Sequence, residues 1–174
     1  MPTVITTPGS ATANSYASRA EGDTYFDGRL FATNWTGASN DDKDRALIMS
    51  TRVLDYSYRW ANYRVDVSQA LEWPRQGMLD ANELEFVPIT GAESIPVQLK
   101  TAQLEMAFAL LAEDRTLDYD VEAKGLKSLT AGPVSLSFKD SVFAKVIPDA
   151  VKNQILPWWG WLRAGSFTRP VARG

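Results

Sequence analysis

The sequence predicts a mainly α fold: a small helical bundle of three to four helices, one short β-hairpin, and extended arms at both ends. Three observations lead there. Two serine-led, acid-rich stretches begin at Ser18 and Ser39. Two Ile-Pro dipeptides, Ile95-Pro96 and Ile147-Pro148, place a proline at the first helical turn, where its missing N–H costs nothing. Residues 134–139 alternate between apolar and polar side chains, directly after the breaker pair Gly132-Pro133.

Taken in order, residues 1–17 are rich in Thr, Ser, Pro and Ala with little to bury, which predicts a flexible or extended N-terminal arm. Ser18-Arg19-Ala20-Glu21 then forms a capping box, so a short helix should run to about Gly28. After Ser39, the oxygens of Asn40, Asp41 and Asp42 suit the positive end of a helix dipole. Ala46, Leu47, Ser50, Val53, Leu54 and Ser57 follow at helical spacing, carrying that helix to about Tyr58.

From Arg59 to Thr90 the periodicity fades, and Pro74, Gly77 and Pro88 predict mostly loop. Leu84, Phe86 and Pro88 leave room for a short edge strand. The helix beginning at Pro96 runs to about Glu113, with Leu99, Ala102, Met106, Ala109 and Leu110 as its buried stripe. Lys100 and Gln103 are expected to face outward or towards a neighbouring subunit. Val134, Leu136 and Phe138 define one strand of a hairpin near residues 121–139, with Leu126 to Leu129 as its partner. A last helix is expected from Pro148 to Leu156, stopped by Pro157. The organisation is therefore an arm over 1–17, a helical body over 18–156, and a docking arm over 157–174.

Composition narrows the chemistry. The chain has 174 residues, enough for one folded unit, and 45% of them are hydrophobic, enough for a real core. It holds no cysteine, which excludes disulfides and thiolate metal sites, and no histidine, which excludes the usual general base and the commonest metal ligand. No Gly-rich phosphate loop is present. Asp41-Asp42 reads as a helix start, and Asp118 with Asp120 as a solvated loop. The expectation is no catalysis and no cofactor. With no run of about 20 apolar residues and no signal-like N-terminus, no membrane contact is expected either.

Charge is placed unevenly. Four of the 18 basic residues, Lys152, Arg163, Arg169 and Arg173, follow the last acid, Asp149. The remaining 14 stand against 21 acids, so an acidic body of net charge -7 ends in a basic tail. That tail opens with Trp158-Trp159-Gly160-Trp161, half of the chain's six tryptophans. Such rings could cap the subunit's own core or anchor an arm on a partner, since aromatic side chains serve both. With a proline before it and arginines after it, the segment reads as an arm, and Trp158, Trp159, Trp161, Arg163, Arg169 and Arg173 are the candidate partner-binding residues. An arm also implies that truncation after Pro157 leaves the body folded.

A family resemblance rests on the order of several weak motifs. Asn14-Ser15-Tyr16, the acid-rich helix from Asp41 to Asp55, Ala70-Leu71-Glu72-Trp73-Pro74-Arg75, Ile95-Pro96, Ala102-Gln103-x-Glu105-x-Ala107 and Leu110-Leu111 follow one another. Over about residues 15–114 this resembles the head-tail connector, or adaptor, proteins of tailed bacteriophages, including a subgroup labelled DnaT-like single-stranded-DNA-binding. The resemblance implies a structural virion protein at the head-tail junction, assembled in the host cytoplasm. It implies a ring, usually twelve-fold, that contacts the portal protein and a tail-side protein while DNA passes through its lumen without sequence-specific binding. Only the Trp73-Pro74-Arg75 turn and the Ile95-Pro96 helix start carry over residue by residue, as fold markers. The alternative is single-stranded-DNA binding, with exposed aromatics stacking on bases and the late arginines meeting phosphates. The -7 body opposes that, because phosphate neutralisation supplies most of such affinity.

Overall fold

The computed structural model describes residues 2–84, 95–116, 128–131, 134–137 and 146–163. Among them the chain forms α1 (Arg19–Asp27), α2 (Thr33–Thr36), α3 (Asn40–Ser57), β1 (Tyr58–Trp60), β2 (Tyr63–Arg64), β3 (Arg75–Gln76), α4 (Val97–Ala112), β4 (Ser128–Ala131), β5 (Val134–Ser137), α5 (Asp149–Lys152) and β6 (Gly160–Leu162). The fold is mainly helical, as the sequence predicts, with short antiparallel two-stranded ribbons.

Local signals explain the helix starts. The Ser18 hydroxyl accepts from the Glu21 backbone N–H at 3.2 Å while the Glu21 carboxylate accepts from the Ser18 N–H at 2.7 Å, closing the capping box of α1. The α3 cap is Ser39, whose hydroxyl accepts from the Asp42 N–H at 3.1 Å, so Asp41 and Asp42 fill the first turn. Pro96 sits at the cap of α4, one position before the helix proper. The last helix is shorter than expected, a single turn over α5 followed by turns as far as Pro157.

The central element is α4, packed against α3, α5 and α2. One apolar cluster gathers Leu54, Leu99, Met106, Val151, Ile155 and the indoles of Trp60, Trp73 and Trp159. A second joins Phe26, Trp35, Leu47 and Leu104 under α1 and α2. Gly22 permits this second packing, because a Cβ there would lie 2.5 Å from the Trp35 ring.

Several expectations change on the structure. Residues 2–17 do not float: Asn14 accepts from the Ile5 N–H at 2.8 Å and donates to the Thr3 carbonyl at 2.9 Å, and Ser15, Tyr16 and Ala17 are buried. Gln103, expected on the outside, is fully buried, because its carboxamide is itself fully satisfied there by the N-terminal segment and α3. Its carboxamide oxygen accepts from the Ala17 N–H at 2.7 Å, and its amide donates to the Ser15 hydroxyl at 2.6 Å and the Leu47 carbonyl at 3.0 Å.

A hairpin is present as β4 and β5, antiparallel with Leu129 opposite Leu136. Its first strand is Ser128–Ala131 rather than Leu126 to Leu129, and Leu126, Phe138 and the rest of residues 121–139 lie outside the described residues. Leu84 is exposed and lies in no strand, and the remainder of the edge strand expected there falls outside the described residues. The stretch after α3, expected to be loop, instead holds β1, β2 and β3, and β1 pairs with β6 from the far end of the chain.

Candidate functional site

Strand alternation divides the β1–β6 ribbon into two faces. Tyr58 and Trp60 point inward and are buried, whereas Arg59 between them points out. The register places Trp161 opposite Arg59, and the guanidinium lies 5.7 Å from the centre of the Trp161 ring, a cation–π pairing across the strands. Gly160 sits opposite Trp60, where a Cβ would lie 2.9 Å from the Arg59 carbonyl, so the strands approach this closely only because the residue is glycine.

The structure separates the six candidate residues of the tail. Trp159 is sealed inside: it is 0% exposed, its ring meets Trp73 edge-on at 5.5 Å, and its indole N–H donates to the Leu79 carbonyl at 2.6 Å. Trp158 donates to the same carbonyl at 3.0 Å but remains 47% exposed. Trp161 is 55% exposed. The Arg163 backbone N–H donates to the Ser57 carbonyl at 2.7 Å, and its side chain donates to the Tyr58 carbonyl at 3.3 Å. Arg169 and Arg173 lie outside the described residues.

An arm beginning at residue 157 is therefore not what the chain builds. Through Arg163 the segment is part of the body, because burying the Trp159 indole and closing the β1–β6 ladder together outweigh the freedom of a loose end. Trp159 leaves the list of partner-binding candidates. Trp158, Trp161 and Arg163 remain accessible.

The structure adds residues that sequence reasoning missed. Arg59 joins Trp161 from β1, and the turn at Ala61-Asn62 leads directly into β2, where Tyr63 is 81% exposed and Arg64 is exposed beside it. The Arg64 guanidinium donates to the Gln69 carbonyl at 3.2 Å, which keeps its charge unneutralised. Asn62, between the two strands, donates to the Gly77 carbonyl and holds the turn against the segment carrying Leu79. Two exposed rings, Tyr63 and Trp161, and two exposed arginines, Arg59 and Arg64, thus occupy the two short ribbons after α3, with Arg163 directly following β6. The sequence signals were alternating stretches: Tyr63-Arg64-Val65-Asp66-Val67-Ser68 at β2, and the shorter Tyr58-Arg59-Trp60 and Gly160-Trp161-Leu162, whose pairing no local pattern states.

A second polar constellation lies inside. The Tyr16 hydroxyl donates to the Asp55 carboxylate and accepts from the Trp73 N–H at 3.3 Å, while the Glu72 N–H donates to the other Asp55 oxygen at 3.2 Å. Arg75 is buried, pairs with Glu72 at 2.7 Å, and donates to the Ala61 and Asn62 carbonyls. Burial pushes the Asp55 carboxyl up to about 7, against the opposing effect of its hydrogen bonds from Tyr16 and Glu72. Burial, then the neighbouring Asp55 charge, also raises the Tyr16 hydroxyl well above its ordinary value. These bonds tie the N-terminal segment, α3 and the 66–76 loop together. Among the described residues no group of three acidic side chains gathers to hold a metal ion.

The whole chain, residues 1–174, matches a family described as "Putative DnaT-like ssDNA binding protein", and the chain belongs to that family. No curated protein and no solved structure matches it.

Proposed function

We propose that this member of the DnaT-like family binds single-stranded DNA through the outer face of its β1–β6 ribbon and the adjoining β2 strand. The observation that carries the reading is the Arg59–Trp161 pair: an indole left more than half open, with a guanidinium against its ring. An exposed indole is a stacking platform for any base, worth about 1–3 kcal/mol per base, and needs no sequence readout. Tyr63 offers a second ring one turn away. Arg59, Arg64 and Arg163 supply charge for the phosphates between stacked bases. Bases in a duplex are already stacked, so the platform favours a single strand.

Three arginines at phosphates imply a slope of about -2 in log affinity against log salt. The acidic body limits the strength of binding at physiological salt, so the complex should be most evident at low ionic strength. The test is fluorescence anisotropy with a labelled oligothymidine of about a dozen residues and a duplex of the same length. Single-strand binding that weakens as salt rises, and exceeds duplex binding, is the expected result. No single-strand binding at low salt would overturn the proposal.

A second reading, a connector subunit that joins the portal to the tail in a virion, is favoured by one feature of the surface. Leu30 and Phe31 are adjacent and 82% and 90% exposed, a small apolar patch that a neighbouring copy could cover. In that reading copies form a ring, DNA crosses its lumen, and Trp158, Trp161, Arg163 and residues 164–174 grip the portal. Sedimentation of the chain with portal protein tests it: absence of a complex at micromolar concentration counts against it. In both readings the chain works by binding, without catalysis or a cofactor.

A further inference from the structure

The Leu30-Phe31 tip is built rather than left over. On one side Arg29 is pinned to the body: its guanidinium pairs with Glu105 at 3.0 Å and lies 4.2 Å from the centre of the Phe108 ring. On the other side Ala32 is buried. Between these anchors Phe31 adopts a left-handed backbone with φ of 59°, a conformation that costs a bulky side chain energy, and it is 90% exposed. Asp27, exposed at the end of α1, adds a negative charge beside the tip and has no ion pair among the described residues.

A surface of complementary character lies on the outer side of α3. Ile48, Met49, Val53 and Tyr56 line an open groove of about 500 Å³, bordered by Arg45 and Arg52. Tyr56 is 76% exposed. Arg45 is occupied by Asp41 and Asp42, whereas Arg52 has no ion-pair or hydrogen-bond partner among the described residues. The groove is thus apolar along its floor, with an available positive charge on its rim.

We infer that the Leu30-Phe31 tip of one copy inserts into the α3 groove of a second copy, with Asp27 facing Arg52. Apolar side chains meet an apolar floor, and the one unneutralised charge beside each surface is opposite in sign, which steers and orients the encounter. Tip and groove are different surfaces of the same chain, so the contact is heterologous and repeats head to tail, into a closed ring or an open filament. Two inserted side chains give an interface smaller than the roughly 1,200 Å² of a stable pair. A single contact is therefore weak, and closure, in which every copy makes two, supplies the cooperativity. This contact does not depend on what the β1–β6 ribbon binds.

The test is sedimentation velocity on the full chain over rising protein concentration. The mass should grow with concentration in the wild type. Phe31→Asn, which suits the left-handed backbone because asparagine tolerates it, should weaken association at least about tenfold, as loss of an interface anchor does. Asp27→Arg and Arg52→Asp should each weaken association, and the two together should restore it. Oligothymidine affinity of Phe31→Asn should equal that of the wild type, which shows that the variant is folded and that the two surfaces are separate. A wild type that stays monomeric, a Phe31→Asn that associates normally, or a charge swap that restores nothing would overturn the contact. Association that persists in Phe31→Asn would leave the ring reading standing on other surfaces.

Discussion

The two faces of the β1–β6 ribbon draw on the same residue types and put them to opposite ends. On the inner face, Trp60, Trp73 and Trp159 pack edge to face at 5.7 and 5.5 Å and close the core between α3, α4 and α5. On the outer face, Trp161 and Arg59 keep their surfaces open. Trp159 and Trp161 are two residues apart, so continuous strand alternation would put both on one face. Trp159 instead sits in the turn at 157–159, before β6 begins, and that turn sends its ring inward while Trp161 faces outward beside Arg59. A tryptophan-rich segment is therefore not one functional unit: the boundary between turn and strand decides which ring holds the protein together and which is available to a partner.

The largest effect that would break this comparison comes from the inner face. Trp159→Ala removes a fully buried indole and its hydrogen bond to Leu79, and should cost about 3–5 kcal/mol. Truncation after Pro157, which also deletes β6, should unfold the chain, read as loss of cooperative melting. A truncated chain that melts like the full one would show that the inner face contributes little.

A second effect, at the buried end of the same core, depends on pH. In the unfolded chain Asp55 titrates near the ordinary aspartate value of about 3.9, whereas burial raises it to about 7 in the folded protein. The folded state therefore binds the proton more tightly between these values. Asp55's contribution to stability is greatest below about pH 4, declines as pH rises to about 7, and is level beyond. Denaturant melts across this range should show that decline, and Asp55→Asn should flatten it. A decline unchanged in Asp55→Asn would assign it to other groups.

How much of this was legible beforehand follows the range of the interactions. The starts of α1, α3 and α4 depend on residues within one turn, and Ser18, Ser39 and Pro96 announced them. The β4–β5 hairpin is likewise local, and the alternation after Pro133 disclosed it. The β1–β6 ribbon joins strands from the middle and the end of the chain, and no local pattern states that Tyr58-Arg59-Trp60 meets Gly160-Trp161-Leu162. The pairing of Arg59 with Trp161 is hidden for that reason, and the composition of the tail points Trp159 to an arm. Tyr63 and Arg64 belong instead to the nearer β2–β3 ribbon, where Pro74 and Gly77 mask a short strand pair.

Gln103 taught the converse. Its polarity predicted an outward position, yet a carboxamide that satisfies Ser15, Ala17 and Leu47 at once belongs inside. The motifs behind the connector resemblance converge on the same interior. Ser15, Tyr16, Asp55, Glu72, Arg75 and Gln103 are members of the buried polar bonds, so their shared order reports how the fold is fastened together rather than what the surface binds.

The smallest stability effect falls on the outer face, and there it becomes the most direct test of the division. Trp161→Ala should change stability by about 1 kcal/mol or less, because the ring makes only an exposed cross-strand pair. The decisive measurement is the affinity of this variant for oligothymidine at low salt, with a thermal melt on the same sample. A complex weakened at least about tenfold with the melt nearly unchanged is the expected result. An affinity equal to that of the wild type, in a variant that melts normally, would contradict it.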